Sequence, residues 1–387
     1  MFESALQIGR VRGIRIQVHY TWIVIFALLS LSLVANFRAT QPEWGEGATY
    51  LAAIAGVLLF FGSIVLHELG HSLVAVARNI PVRSITLFIF GGVAELEKDS
   101  ETARDEFWIA IAGPLVSIGL GVLFLVLAAL LSGVSEPLSV TSGWLGFINI
   151  AVAVFNMVPG FPLDGGRVFR ALVWGITGDA ARGMRYAVAG GRFTALALFA
   201  LGVWMALGLG QLIGGIWFVA IGWFLMNAAE ASGRSYTWRA ALEDVRAGDL
   251  VREVPPSVPA GTSLETWVRE GVLGRGSRAA LVTLSDAGGA GGRVAGLVSL
   301  SDARKVPREA WPTTPVDEVM TPRSALHVVS ADTGLAEVLE LMARNRLNQV
   351  PVEDAGALTG WLDRDRVLTA LRIRLELGDG KAGGALP

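Results

Sequence analysis

The chain reads as a polytopic α-helical membrane protein of about six spans, with a small β-hairpin or sheet on the cytoplasmic side and a soluble α/β module, present in two copies, after the last span. Three observations predict this. Of 387 residues, 52% are hydrophobic and 17% charged, and the mean hydropathy of +0.53 lies far from that of soluble domains. Nearly all long apolar runs precede residue 230, and the remainder has the composition of ordinary soluble protein. Basic residues gather in alternate loops, as in a chain that crosses a bilayer repeatedly.

Apolar runs of roughly 17 to 25 residues place the spans at approximately 18–36, 50–77, 107–131, 143–159, 187–208 and 212–230. Arg10, Arg12 and Arg15 precede the first, Arg78, Arg83, Lys98 and Arg104 lie between the second and third, and Arg167, Arg170, Arg182 and Arg185 between the fourth and fifth. Arg234 and Arg239 follow the sixth, and the opposite loops hold Arg38. The positive-inside rule therefore puts both termini in the cytoplasm of a cell-membrane protein. Residues 1–15 lack the pattern of a cleaved signal peptide.

Segment 80–98 does not read as helix. Pro81 blocks continuation, β-branched and aromatic residues dominate, and Gly91-Gly92 suits a tight turn. It reads as a hairpin, which is either an edge for an unwound peptide or a plain interfacial anchor. Gly9 to Val18 alternates similarly and can supply another strand. From about Leu242 short strands alternate with amphipathic helices, and two stretches look like copies of one unit with a period of about 60 residues. Asp286 to Arg293, between the copies, reads as a flexible glycine-rich loop. The net charge of −2 offers nothing to nucleic acid, and the absence of Cys leaves His, Asp and Glu as metal ligands.

Two of the four histidines stand in His67-Glu68-Leu69-Gly70-His71, inside the second apolar run. Residues i and i+4 share a helix face, so both imidazoles can reach one metal ion with Glu68 beside them. The bland alternative is a pair of histidines hydrogen-bonded within a helix bundle. A catalytic zinc needs a third protein ligand, and Asp164 offers one where the fourth run breaks at Pro159 and Pro162. Its competing reading is the N-cap of the helix that follows. His19, beside Tyr20 and Trp22, suits the interface; His327 falls in the soluble part; Trp204, Trp217 and Trp223 suit packing or an interfacial belt.

His67 to His71, Gly91-Gly92, Ala112-Gly113-Pro114 and Asn156 through Gly166 occur in this order over residues 8–230, and together they resemble the site-2 protease family of intramembrane zinc metalloproteases. The resemblance implies one Zn²⁺ per chain held by His67, His71 and Asp164, Glu68 as general base, and Asn156 beside the scissile bond. It implies a transmembrane protein as substrate and regulated intramembrane proteolysis as the activity. The C-terminal repeat resembles a pair of cystathionine-β-synthase-type (CBS) regulatory modules.

In the first module Gly296-Leu-Val-Ser-Leu-Ser-Asp302 resembles the CBS nucleotide motif, which implies Ser299 at phosphate and Asp302 at ribose. The matching stretch of the second, Gly360 to Arg366, has Asp363 in place of the hydroxyl and Arg366 in place of the ribose-binding Asp. An anion where phosphate should lie is repulsive, so one adenine-nucleotide site is expected rather than two; a ligand-free or homodimerising pair is the alternative. The expected division is a membrane-embedded metalloprotease domain at 1–230, a linker at 231–246, CBS modules at 247–305 and 315–375, and a disordered tail at 376–387. The competing functions are a CBS-regulated ion transporter or channel, in which His, Glu and Asp line an ion path, and an inactive scaffold that binds membrane helices, which the presence of Glu68 disfavours.

Overall fold

In the computed structural model the described residues are 5–89, 91–96, 98–251, 256–284, 293–354 and 357–377. The glycine-rich loop at 286–292 and the expected tail from 378 onward lie outside them. The described residues divide into two units, one up to Tyr236 and one from Thr237 to residue 377.

The first unit begins with strands β1 (Ala5–Val11) and β2 (Ile14–His19), followed by helices α1 (Trp22–Thr40) and α2 (Glu46–Ala77). Strands β3 (Val82–Phe88) and β4 (Gly91–Leu96) come next. Helices α3 (Ala103–Leu131), α4 (Glu136–Asn156), α5 (Asp164–Thr177), α6 (Ala180–Gly208) and α7 (Leu212–Leu242, in this unit as far as Tyr236) complete it. Six of these, all but α5, are long and apolar enough to cross a membrane. Their outward residues are apolar: Leu51, Leu115, Leu130, Phe147 and Ile213 are all more than half exposed, as suits a lipid-facing belt. The first span starts at Trp22 instead of residue 18, because Ile14–His19 pairs as a strand.

The strands form one sheet in the order β1-β2-β3-β4, antiparallel at both ends and parallel between β2 and β3. The parallel pair is possible because α1 and α2 supply the long crossover that such a pair requires. Gly91 and Gly92 do not form the turn of the second hairpin; they lie in β4, opposite Phe88 and Leu87. The sheet packs by Ile14, Val82 and Ile85 against Ala75 near the end of α2 and Ile109 of α3. It is therefore anchored at the same end of α2 as the two histidines.

Within the bundle, Val57 and Phe61 of α2 pack on Leu33 and Phe37 of α1. Buried Asn149 of α4 donates to Ser63 Oγ of α2 (3.3 Å) and to the Leu145 carbonyl (2.8 Å). A polar bond of this kind ties apolar helices together where burial from water cannot. The α4 helix ends at Asn156, and residues 157–163 turn through Pro159 and Pro162 before α5 begins.

The second unit contains two repeats. The first holds α8 (Ala247–Leu250), β5 (Ser257–Pro259), α9 (Leu264–Trp267), β6 (Ala279–Leu284), β7 (Arg293–Ser299) and α10 (Leu300–Ala303). The second holds α11 (Val316–Val319), β8 (Thr321–Pro322), β9 (Val329–Ser330), α12 (Leu335–Arg344), β10 (Gln349–Asp354), β11 (Ala357–Asp363) and α13 (Arg364–Leu377). In each, one strand runs parallel to the next, which then forms an antiparallel hairpin: β5-β6-β7 and β9-β10-β11. This matches the strand–helix–strand–strand–helix pattern read from the sequence. The period is longer than expected, since β6 begins at Ala279 and its counterpart β10 at Gln349. The stretch at 231–246 is not a bare connector either. It is helical to Leu242, and Ala241, Leu242 and Val245 are buried in the core with Leu335, Val350 and Leu362, because their apolar side chains continue that core.

Candidate active site

On α2 the side chains of His67 and His71 leave the same face one turn apart, as their spacing requires. Both rings are buried, with edge-to-face planes 81° apart and centroids 4.8 Å apart. Their Nε2 atoms lie 3.2 Å from each other, and Asp164 Oδ2 lies 3.1 Å from His67 Nε2 and 3.3 Å from His71 Nε2. Among the described residues these three form the one group of at least three His, Cys, Asp or Glu arranged to hold a metal, their ligand atoms all within 4.8 Å of one another.

The rings are oriented from behind by α3. His71 Nδ1 lies 2.6 Å from the Ile109 carbonyl oxygen, which can only accept; Nδ1 therefore carries the proton and donates it. In the neutral ring Nε2 then keeps its lone pair, 3.3 Å from Asp164 Oδ2. His67 Nδ1 lies 2.9 Å from Ser117 Oγ. Between Ile109 and Ser117 sits Gly113, where a Cβ would overlap the Nε2 atoms of both histidines. Gly70 allows the two helices this approach, since a Cβ there would stand 2.9 Å from Val116 and 3.2 Å from the Ala112 carbonyl of α3.

Asp164 is the first residue of α5. The N-cap is Leu163, without a side-chain cap bond, and the Asp164 carboxylate faces the imidazoles. Two glycines hold it there: a Cβ on Gly165 would run into the Met157 carbonyl, and one on Gly166 into the Gly160–Phe161 peptide. The Phe161 N–H donates to the Ala187 carbonyl of α6 (3.0 Å), which fixes the turn from the other side. Buried Glu106 of α3 then ties down α5, 3.1 Å from Arg167 Nε and 3.7 Å from Arg170 Nη1. Burial opposes the charge on Arg167, but the carboxylates of Glu106 and Asp164 more than compensate and raise its pKa.

Glu68, half-buried, sits against β4, where a Cβ on Gly92 would come 2.6 Å from its Cγ and 3.2 Å from Oε1. Asn156 ends α4 half-buried and forms no side-chain hydrogen bond with the described residues. His19 lies elsewhere, its Nδ1 2.9 Å from Thr21 Oγ1 and its ring against Tyr20; His327 is exposed. The donor set, two imidazole nitrogens and a carboxylate oxygen, suits zinc with one position left open. The space that a Gly113 Cβ would fill lies among the ligand atoms, so the residues present fit such an ion.

In the second unit, Ser299 and Asp302 face each other. Asp302 is buried; its Oδ2 accepts from the Ser299 N–H (3.0 Å) and hydroxyl (2.6 Å), and its Oδ1 from Lys305 Nζ (2.8 Å). A cavity of about 1020 Å³ opens beside Ser299 and is lined by Arg275, Arg278, Arg304, Arg364 and Arg366, with Asp363 also present.

Sequence reasoning missed Ile109, Ser117, Glu106 and the role of Gly113. The available signal was their spacing: Ile109, Gly113 and Ser117 recur every fourth residue on α3, opposite the His67–His71 spacing on α2. We expect Gly113→Ala to strip the site of metal while the helices stay folded, because its methyl group occupies the space between the ligand nitrogens. Elemental analysis of the purified variant beside its circular dichroism checks this; wild-type metal content would show that the ligands do not converge there.

The family model for peptidase family M50 matches residues 55–142 and 134–198, and that for the CBS domain matches 316–373. The Synechocystis candidate zinc metalloprotease sll0528 is 36% identical over 378 residues, spanning 96% of this chain and 96% of the relative. The Mycobacterium tuberculosis candidate zinc metalloprotease Rip3 is 34% identical over 343 residues, 88% of this chain and 86% of the relative. The solved site-2 protease of Methanocaldococcus jannaschii, 27% identical, covers 59% of this chain and 95% of that one, with a TM-score of 0.41. Identity along nearly the whole chain decides between the peptidase and ion-transport readings. The chain belongs to peptidase family M50, the site-2 proteases, and is a multi-pass membrane zinc metalloprotease with C-terminal CBS modules.

Proposed function

We propose that His67, His71 and Asp164 hold the zinc of an intramembrane endopeptidase and that Glu68 is its general base. One observation carries this: three ligand atoms from α2 and α5 converge while Glu68, on the same helix, turns toward the sheet. Zinc held there would lower the pKa of a bound water to about 7 and act as a Lewis acid toward a carbonyl. Glu68 takes a proton from the water that attacks the scissile carbonyl carbon and passes it to the amine nitrogen as the C–N bond breaks. Asn156 donates its amide N–H toward the scissile carbonyl oxygen. The substrate is the transmembrane segment of another protein, and it must unwind because a helix keeps its carbonyls in hydrogen bonds. The outer edge of β4, next to Glu68, receives the unwound segment as an added strand.

The alternate-loop arginines support cytoplasmic termini, so the histidine end of α2 and the sheet face the cytoplasm. The proposed division keeps the peptidase at 1–230 and the modules at 247–305 and 315–375. The pair is proposed to bind an adenine nucleotide at Ser299 and Asp302 and to dimerise. The arginine-lined cavity beside Ser299 supports an anionic ligand. Asp302 is held by Ser299 and Lys305, so the ribose has to displace these bonds.

Glu68→Gln should keep its zinc and lose cleavage of a membrane-embedded substrate by about 100-fold or more; full cleavage by this variant would refute the assigned base. Asp164→Ala should purify with little zinc, since two protein ligands hold the metal weakly, and one tightly held zinc in it would remove Asp164 from the ligand set. Titrating the full-length protein with ATP, ADP or AMP in a calorimeter should give about one site per module pair, abolished by Asp302→Ala. Absence of heat at millimolar nucleotide would leave the pair as a packing or dimerising element.

A further inference from the structure

We infer that Ser117 is a positioning residue for the metal centre: its hydroxyl, 2.9 Å from Nδ1, holds the ring angle of His67, as the Ile109 carbonyl holds that of His71. This rests on the zinc-peptidase reading and adds a residue to it. Along one face of α3, Ile109, Gly113 and Ser117 stand at intervals of four, and α2 presents His71 and His67 at the same interval. His71 meets Ile109 at 2.6 Å, His67 meets Ser117 at 2.9 Å, and Gly113 leaves room for both rings between them. The chain directions are opposed, so the earlier histidine meets the later α3 residue.

A ligating histidine needs its metal-facing nitrogen unprotonated, and the hydrogen bond at the other nitrogen decides which tautomer is present. His71 has a main-chain acceptor, so its tautomer survives any side-chain change on α3. His67 depends for its ring angle on a side chain, whose hydroxyl accepts from Nδ1–H in the tautomer a metal needs. Ser117 is 1% exposed and His67 5%, so no bulk water stands ready to replace the hydroxyl. Without it, the His67 ring can turn away from the point where its Nε2 and Asp164 Oδ2, 3.1 Å apart, would share a metal. The two ligands of one motif are thus unequally secured, and Ser117 controls the weaker one.

The test uses the full-length protein in detergent with Ser117→Ala and Ser117→Thr, the latter keeping a hydroxyl. Zinc retention against a graded chelator is the main readout, with thermal unfolding of the metal-free proteins as a control. Ser117→Ala should lose zinc at about 10- to 100-fold lower chelator concentration, and Ser117→Thr should hold it as the parent does. The visible absorption band of the cobalt-loaded protein should shift in the Ala variant only. Parental zinc retention and an unshifted band in Ser117→Ala would overturn the inference and leave the zinc site standing. Equal losses in both variants, accompanied by a lower unfolding temperature without metal, would also overturn it, by showing a packing role. A parent protein that takes up no zinc would overturn the reading of the site itself.

Discussion

The close approach of α2 and α3 is the constraint on which the site depends. Imidazole rings can converge on one point only if the helix behind them lets them in and then holds them. Gly70 and Gly113 open that space, and at its ends the Ile109 carbonyl accepts from His71 and the Ser117 hydroxyl pairs with His67 Nδ1. In a bilayer such contacts have no hydrophobic drive to support them, so helix association rests on close packing and a few polar bonds. The same logic recurs at Asn149 and Ser63, which join α4 to α2 one turn away from His67.

The third ligand reaches the site by a different device. Asp164 comes from a short helix that is not one of the spans, held by backbone contact at Gly165 and Gly166 and by Glu106 with Arg167 and Arg170. Arg170 also lies over the rings of Trp174 and Tyr236, at 5.8 and 5.1 Å. A buried carboxylate facing two guanidinium groups is weak evidence for stability, because desolvation offsets the attraction; removing one partner alone costs about 3–5 kcal/mol. Its evident value is geometric. It fixes one face of α5 to α3, the helix that also backs the histidines, so all three ligand positions refer to α3.

The second unit keeps its own accounts of charge. The five arginines around its cavity face Asp363 and Asp365, and Arg278 approaches Asp365 at 3.7 Å on the surface. Exposed pairs of this kind contribute little to stability. Guanidinium groups outnumber carboxylates around Ser299, and buried Asp302 is the partner of Ser299 at the start of α10.

The sequence by itself determined the spans, the repeat and the proposed metal ligands, because each leaves a local pattern. Apolar length marks a membrane helix, and a spacing of four marks one helix face, so His67 and His71 could be paired on paper. Asp164 was legible as a carboxylate in a broken apolar run; taken alone a helix cap explained it as well, and the structure makes Leu163 the N-cap and leaves the carboxylate 3.1 and 3.3 Å from the imidazoles. Other features could not be read. Gly91 and Gly92 look like a turn, yet strand register, which depends on partners far along the chain, puts them in β4 with Gly92 against Glu68. Ser117 and Ile109 look like ordinary span residues, and Glu106 like a flanking charge. Their roles come from which helix faces which, and that is decided by packing between segments, for which a single chain of letters carries no local signal.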